Sequence, residues 1–312
     1  MTGVTGQDGS YLADLLLEKG YIVYGLVRRS STDNKWRIQK ALSHGLMLVD
    51  GDITDGPSLH HIFSKYGPFD EVYNLASQSD VGLSWKQPVA TAKATGIGCL
   101  NMLEAMKEYN IDGKFYQAST SELFGGMEPY TYQDENTPFH PRSPYGSAKA
   151  FAHHTTINYR ESYDMFACCG ILFNHESPRR GENFVTQKIV KAAQRIRDGE
   201  QDELRLGNLD AKRDWSHAKD MVQGMWLMLQ QKKPDEYVLA SGTTVSIKEF
   251  LDIVFMKLNL IADAHVVIDP AFLRPAEVHI LCGNSDKARK ELGWSPQYRH
   301  LEDLIDDMLA GE

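Results

Sequence analysis

Four side chains define the chemistry open to this chain: Thr120 and Glu122 in the string STSELFG, and Tyr145 and Lys149 in SPYGSAK. Tyr145 and Lys149 stand four positions apart, so on a helix they share one face. A phenol ionises near about pH 10 and is a poor base at neutrality, but an adjacent ammonium favours the phenolate and can also hold a nicotinamide ribose. Such pairs also occur on ordinary helices, and this one gains meaning from its neighbours. With a hydroxyl at Thr120 or Ser119 to orient a substrate oxygen, Tyr145 can take the proton of a secondary alcohol while hydride leaves for a cofactor. That oxidation needs no carboxylate. Glu122 adds a second kind of step: once a ketone exists, the adjacent C–H is acidic, and a carboxylate in reach removes that proton and drives loss of a β-hydroxyl. A period of two from Thr120 predicts that Glu122 projects to the same side of a strand end.

These groups need a frame. The runs YIVYGLV (21–27), LMLVD (46–50), EVYNLA (71–76), KFYQAS (114–119) and FACCGILF (166–173) read as strands, mostly without polar alternation, as in a parallel sheet covered on both faces. Helical patterns fall between them near 10–19, 56–65, 91–109 and 145–163, giving a doubly wound βαβ series. The fold class is α/β, with a smaller α+β lobe towards the C-terminus. A dinucleotide-binding domain is expected over 1–173, with a return near 214–241, and 174–312 mainly as a binding lobe. Only Met1 and Thr2 precede Gly3, where a first strand is expected.

Gly3, Gly6 and Gly9 are spaced as G-x-x-G-x-x-G ahead of an amphipathic pattern, which permits a tight turn and close approach of a pyrophosphate to a helix N-terminus. The second strand ends in VRRSS, so Arg28 stands where an NAD-binding chain usually offers an acid; a 2′-phosphate, and hence NADP, is expected. Asp52 in GDITD reads either as a contact to an adenine amino group or as a turn cap. NLASQS supplies small residues along the cofactor.

Lys and Arg number 33 against 42 Asp and Glu, a net charge of −9, which argues against nucleic-acid or acidic-membrane partners and requires local bases for any anionic ligand. The second half supplies them, in loops dense in Arg, Asn and Glu. Lys188, Arg213 and Arg274 come from three separate loops that can converge on a diphosphate. The four cysteines form no C-x-x-C pair, the adjacent histidine pairs His60–His61 and His153–His154 do not share a helical face, and no ligand set for a metal is found, so no metal is expected. No basic-then-apolar leader or apolar span is present, and a soluble cytoplasmic protein is expected.

The strings GVTGQDGSYLA, FYQASTSELFG, PFHPRSPYGSAK, GILFNHESPRRG, LGNLDAKRDW and FLRPAEVHILCGN resemble, across essentially the whole chain, the GDP-mannose 4,6-dehydratase family of extended short-chain dehydrogenase/reductases. The resemblance implies an NADP-dependent lyase acting on GDP-mannose by oxidation at C4, loss of water across C5 and C6, and return of hydride to C6. It implies catalytic roles for Thr120, Glu122 and Tyr145, and a cofactor-holding role for Lys149. Cofactor contacts are implied for Gly3, Thr5, Gly6, Gln7, Asp8, Arg28, Asp52, Ile53, Leu75, Ala76, Ser77, Gln78, Ser79, His175 and Arg180, with Gly9 completing the loop. Substrate contacts are implied for Asn174, Lys188, Arg213, Arg274 and Glu277. Ala90 departs from a Tyr that some members place against the cofactor. A homodimer through helices near 91–109 and 145–163, or a homotetramer with RRSS at a second contact, is also implied. Dehydratases acting on dTDP-glucose, a more distant resemblance, carry Asp–Glu where this chain has Ser121–Glu122, which implies that one carboxylate serves two steps here. The rivals are a dehydratase of another nucleotide sugar such as a GDP-heptose, a nucleotide-sugar epimerase, for which Glu122 would be superfluous, and a non-catalytic NADP sensor.

Overall fold

A computed structural model describes residues 1–312 apart from 31–33, 127, 130, 274, 275, 277 and 312. The apolar runs give five parallel strands: β1 Tyr24–Val27, β2 Met47–Asp50, β3 Glu71–Asn74, β4 Lys114–Ala118 and β5 Ala167–Leu172. β1 pairs with β2, while β3, β4 and β5 lie side by side, with strand Glu236–Leu239 outside β5. Met1 and Thr2 bridge the two groups: Leu26 N donates to the Met1 carbonyl at 2.8 Å and Thr2 N to that of Tyr73 at 2.9 Å. The order is therefore β2, β1, the Met1–Thr2 stub, β3, β4, β5, Glu236–Leu239.

Alternate residues of the strands serve two cores, as the pleat requires. Tyr73, Tyr116 and Cys168 pack with Leu12 of helix Gln7–Glu18 and Met221 and Met225 of helix Ala218–Leu229. Val72, Phe115 and Ala167 face the other way, onto Leu59 and Phe63 of helix Gly56–Tyr66, Met102 and Met106 of helix Gly98–Tyr109, and Ala152 of helix Pro144–Tyr163. All six residues of β5 are buried, which explains a run without polar alternation.

The C-terminal lobe has its own core, where Ile189, Phe250, Phe255, Ile305 and Met308 join helices Val185–Arg197, Ile247–Lys257 and Leu301–Ala310. Three short pairings organise its loops. Asn174–Glu176 runs parallel to Trp215–His217, Leu204–Leu206 parallel to Val266–Ile268, and Lys212–Arg213 lies between Val245–Ser246 and Ile280–Leu281.

The expected helix over 91–109 is interrupted. Helix Pro88–Ala92 leads into a π-turn at Lys93–Ile97 before helix Gly98–Tyr109. Helix Pro144–Tyr163 approaches closely here: a Cβ on Gly96 would stand 3.2 Å from the Phe151 ring. Strand ends also retreat from the apolar runs, so β1 begins at Tyr24 rather than Tyr21. Helix Val81–Lys86, capped by the Asp80 side chain, was not legible in the periodicity. No helix among the described residues is long and apolar enough to cross a membrane.

Candidate active site

The glycine loop sits beside the end of β3. Gly3 has φ +67, and a Cβ there would lie 2.9 Å from Ala76 N. A Cβ on Gly9 would lie 2.1 Å from the Gly3 carbonyl, so the turn and the helix can meet only without side chains. Helix Gln7–Glu18 starts at an extended Gly6 with no side-chain cap, which leaves its first-turn N–H groups to an anion. This cradle fits a dinucleotide pyrophosphate.

Thr2 holds the opposite wall, its Oγ1 accepting from Leu75 N and Ala76 N at 3.1 and 3.0 Å and donating to Asn74 Oδ1 at 2.7 Å. Ser77 Oγ bonds Thr95 Oγ1 at 2.9 Å within the π-turn, and Gln78 Nε2 bonds Thr91 Oγ1 at 3.0 Å. Arg28 is exposed just beyond β1. Asp52 acts as a turn cap, its Oδ1 accepting the N–H and the hydroxyl of Thr54 at 2.8 Å each. Ile53 packs where a Cβ on Gly98 would touch it at 2.8 Å. Ala90 is exposed on helix Pro88–Ala92.

The loop is tied to the second lobe through Gln7 and Asp8. Gln7 Nε2 donates to the His175 carbonyl at 3.1 Å, and Ser177 Oγ donates to Gln7 Oε1 at 2.8 Å. His175 Nδ1 meets the Phe173 carbonyl at 2.7 Å and its Nε2 meets Asp8 Oδ2 at 2.9 Å. Both ring nitrogens thus face acceptors, which favours the imidazolium. Burial opposes that charge, but the Asp8 carboxylate outweighs it, and the pKa of His175 is raised. Burial likewise opposes ionisation of Asp8, while His175, Gln7 and Arg180 bring its pKa down to about 2.

The signs set a pH window. The His175 contribution to stability is complete below its ordinary 6.5 and is lost as pH rises through the raised folded value. The Asp8 contribution is complete above its ordinary 3.8 and is lost as pH falls towards 2. His175→Gln should therefore lower the melting temperature most at about pH 5.5 and much less at about pH 8.5. Equal losses at both values would show that the pair is not an ion pair.

The reacting set lies beyond β4. The strand stops at Ala118, and Ser121–Leu123 forms a 3-10 turn whose N-cap is Thr120, with Oγ1 accepting Glu122 N at 3.3 Å. The expectation that Glu122 follows Thr120 by strand periodicity is thereby corrected: the Thr120 hydroxyl curls the chain. Glu122 still stays with the set, because the turn is wedged against the helix carrying Tyr145. A Cβ on Gly146 would lie 3.0 Å from the Glu122 carbonyl. That helix is capped by Ser143, whose Oγ accepts Gly146 N at 3.0 Å, and Pro144 occupies its first turn.

Thr120, Glu122, Tyr145 and Lys149 are all buried. Burial pushes the Tyr145 phenol up; its hydrogen bond with Thr120 pulls it down, Glu122 and Asp8 oppose ionisation, and Arg180 favours it. Lys149 does not touch the phenol as expected. Its Nζ donates to the Ala118 carbonyl at 2.8 Å and lies 5.8 Å from the Tyr145 ring centroid, and burial lowers its pKa to about 8.

The expected substrate residues are less gathered. Asn174 opens the short strand that carries His175. Lys188 is on a helix rather than a loop, donating to the Arg205 carbonyl at 2.7 Å and lying 3.8 Å over the Phe272 ring. Arg213 is a buried strand residue, with Nη1 donating to the Lys212 carbonyl at 2.9 Å. Arg274 and Glu277 fall outside the described residues. Arg180 stacks on Phe184 at 3.6 Å and pairs with buried Glu176 at 3.0 Å. Reading by motif passed over Thr2, Glu176 and Asp214. The two acids stand inside GILFNHESPRRG and LGNLDAKRDW, but nothing in their spacing marks a buried carboxylate, Glu176 pairing with Arg180 and Asp214 accepting the N–H groups of Ser241, Gly242 and Gly283.

The family described as GDP-mannose 4,6 dehydratase matches residues 1–308. GDP-mannose 4,6 dehydratase 1 of Arabidopsis thaliana is 51% identical over 311 residues, covering 95% of this chain and 84% of the relative. GDP-mannose 4,6-dehydratase of Vibrio cholerae serotype O1 is 45% identical over 347 residues, covering 100% and 92%. Among solved structures, dTDP-glucose 4,6-dehydratase from Bacillus anthracis in complex with NAD superposes with a TM-score of 0.84 at 21% identity, covering 98% of this chain and 94% of that one, a likeness of fold. With a glycine cradle, a buried Thr–Glu–Tyr set and a match over 308 residues, the chain belongs to the GDP-mannose 4,6-dehydratase family.

Proposed function

We propose that this chain is a hydro-lyase converting GDP-mannose to GDP-4-keto-6-deoxymannose, with NADP as its cofactor. The observation that carries the reading is the burial of Glu122 in a turn whose backbone packs against the helix of Tyr145, with its carboxylate near enough to act on the buried phenol. A bound nicotinamide dinucleotide supplies the hydride acceptor at C4 and the hydride donor at C6. Thr120 and Tyr145 hold the C4 oxygen and move its proton; Glu122 moves protons at C5 and at the C6 hydroxyl. Lys149, on the Ala118 carbonyl, marks where the nicotinamide ribose would lie. The Gly3–Gly9 loop with Thr5, Gln7 and Asp8 takes the pyrophosphate, Ile53 and Leu75–Ser79 line the cofactor, with His175 and Arg180 closing it, and the carboxylate of Asp52 meets the adenine. On the substrate side Asn174, Lys188, Arg213, Arg274 and Glu277 hold the nucleotide sugar. The division into a cofactor domain over 1–173, rejoined by 214–241, and a substrate lobe over the rest of 174–312 follows from these roles. Incubation with a panel of nucleotide sugars, read by mass spectrometry for loss of water, tests the reaction; loss of water from a GDP-heptose and not from GDP-mannose would overturn the substrate.

Arg28 carries the choice of NADP over NAD, because its exposed guanidinium follows β1 where the ribose 2′ position is met in such folds. Arg28→Ala should raise the Kd for NADP by about tenfold or more and leave that for NAD nearly unchanged. Equal effects on both would remove the assignment. The exposed apolar side chains Val89, Ile97 and Phe151 on adjoining helices support a homodimer across that face. Sedimentation as a monomer would remove that assembly.

A further inference from the structure

Asp214 is wholly buried and directly follows Arg213. Its Oδ1 accepts the N–H and the hydroxyl of Ser241 at 2.8 and 2.7 Å, and its Oδ2 accepts the N–H groups of Gly242 and Gly283 at 2.9 and 3.2 Å. A buried carboxylate is costly unless its oxygens are satisfied, and here donors converge on both. The partners come from separate parts of the fold. Ser241 and Gly242 follow strand Glu236–Leu239 at the edge of the main sheet. Gly283 follows strand Ile280–Leu281, which pairs in parallel with Lys212–Arg213.

A third element meets the same turn. Gln133, downstream of Glu122, donates its N–H to the Cys282 carbonyl at 2.8 Å, accepts Cys282 N on Oε1 at 2.9 Å, and accepts Asn284 N on its carbonyl at 2.8 Å. The turn has no slack: a Cβ on Gly283 would lie 2.3 Å from the Ala240 Cβ and 2.8 Å from the Phe173 ring. Residues 282–284 thus join the cofactor sheet, the strand of Arg213 and the chain that continues from the catalytic turn.

We propose that Asp214 is a positioning residue that sets the register between the Arg213 strand and the Thr120–Glu122–Tyr145 set. This rests on the reading that Arg213 meets the diphosphate. GDP-mannose is then held at one end by the lobe and must react at the other. A shift between the two ends misplaces the sugar while GDP, which touches one end alone, binds as before. Asn cannot fully replace the carboxylate, because its amide nitrogen would face the N–H groups of Gly242 and Gly283 in one orientation and the N–H of Ser241 in the other.

The test compares the full-length enzyme with Asp214→Asn, the milder Ser241→Ala and, as a separate arm, Arg213→Gln. GDP affinity, NADP affinity and turnover per folded molecule are measured for each. Asp214→Asn should keep both affinities near the parent values, lose about tenfold or more in kcat, and leave part of the bound cofactor reduced after turnover. Ser241→Ala should move kcat in the same direction by less, and it decides the matter if the first variant does not fold. Unchanged kcat in both, or a fall in GDP affinity that accounts for the whole loss, overturns the proposal. Parent-like GDP affinity in Arg213→Gln would strike the diphosphate reading alone, while the kcat of Asp214→Asn still judges the register.

Discussion

Tyr145→Phe should slow oxidation at C4 by about a thousandfold while leaving binding of cofactor and GDP-mannose intact, since a positioned proton acceptor contributes on that order. The substitution keeps the buried ring and removes only the hydroxyl that bonds Thr120. Lys149 keeps its place, because its Nζ is fixed by the Ala118 carbonyl and not by the phenol. The measurement is the first-order rise of enzyme-bound NADPH absorbance after mixing with GDP-mannose. A rate within a few-fold of the parent would mean that another group takes the C4 proton. In the parent, burial holds the phenol above its ordinary range, so the same rate should climb from neutral to alkaline pH. Thr120→Val, which deletes the bond to the phenol, should steepen the need for alkali.

The motifs that depend on spacing were legible, because their physics is local. Gly3 and Gly9 are glycines since a side chain at either would collide with backbone, and that demand is written into the sequence as spacing. Tyr145 and Lys149 share one helical face for an equally local reason, their spacing of four. What depends on contacts far apart in sequence was not legible. A strand period puts Glu122 with Thr120, yet the chain turns there because a hydroxyl two residues back takes its N–H. The side chain reaches the expected company by a different route.

The same distinction explains the substrate lobe. Lys188, Arg213 and Arg274 carry the right charge for a diphosphate, but charge does not reveal that Lys188 lies over Phe272 or that Arg213 sits on a two-residue strand between two others. Asp8 reads as one residue of a glycine loop, and its role as the partner of His175 spans 167 positions. Periodicity also does not reveal the π-turn at Lys93–Ile97, where Phe151, far along the chain, packs close to Gly96.

Glu122→Gln separates the two halves of the reaction. The Glu122 charge acts on Tyr145, and its neighbour Ser121 has no carboxylate to offer, so on the proposed reading one group serves both proton transfers of the elimination. As base it takes the C5 proton made acidic by the C4 ketone; as acid it returns that proton to the departing C6 hydroxyl, which leaves as water. One carboxylate can do both only if the two substituents share a face of the sugar. Gln keeps the volume, and the backbone anchors of the turn, the Thr120 Oγ1 bond at 3.3 Å and the contact with Gly146, do not involve the side chain. The fold and the C4 oxidation should therefore survive. Elimination should fall by about a thousandfold or more, within the range for loss of a positioned acid–base group. On addition of GDP-mannose the variant should accumulate reduced cofactor, form no dehydrated product and exchange almost no C5 hydrogen for solvent deuterium. Exchange at the parent rate without product would leave Glu122 as the acid alone, with another base at C5. Product at the parent rate would remove Glu122 from the chemistry and assign both proton transfers of the elimination to another group.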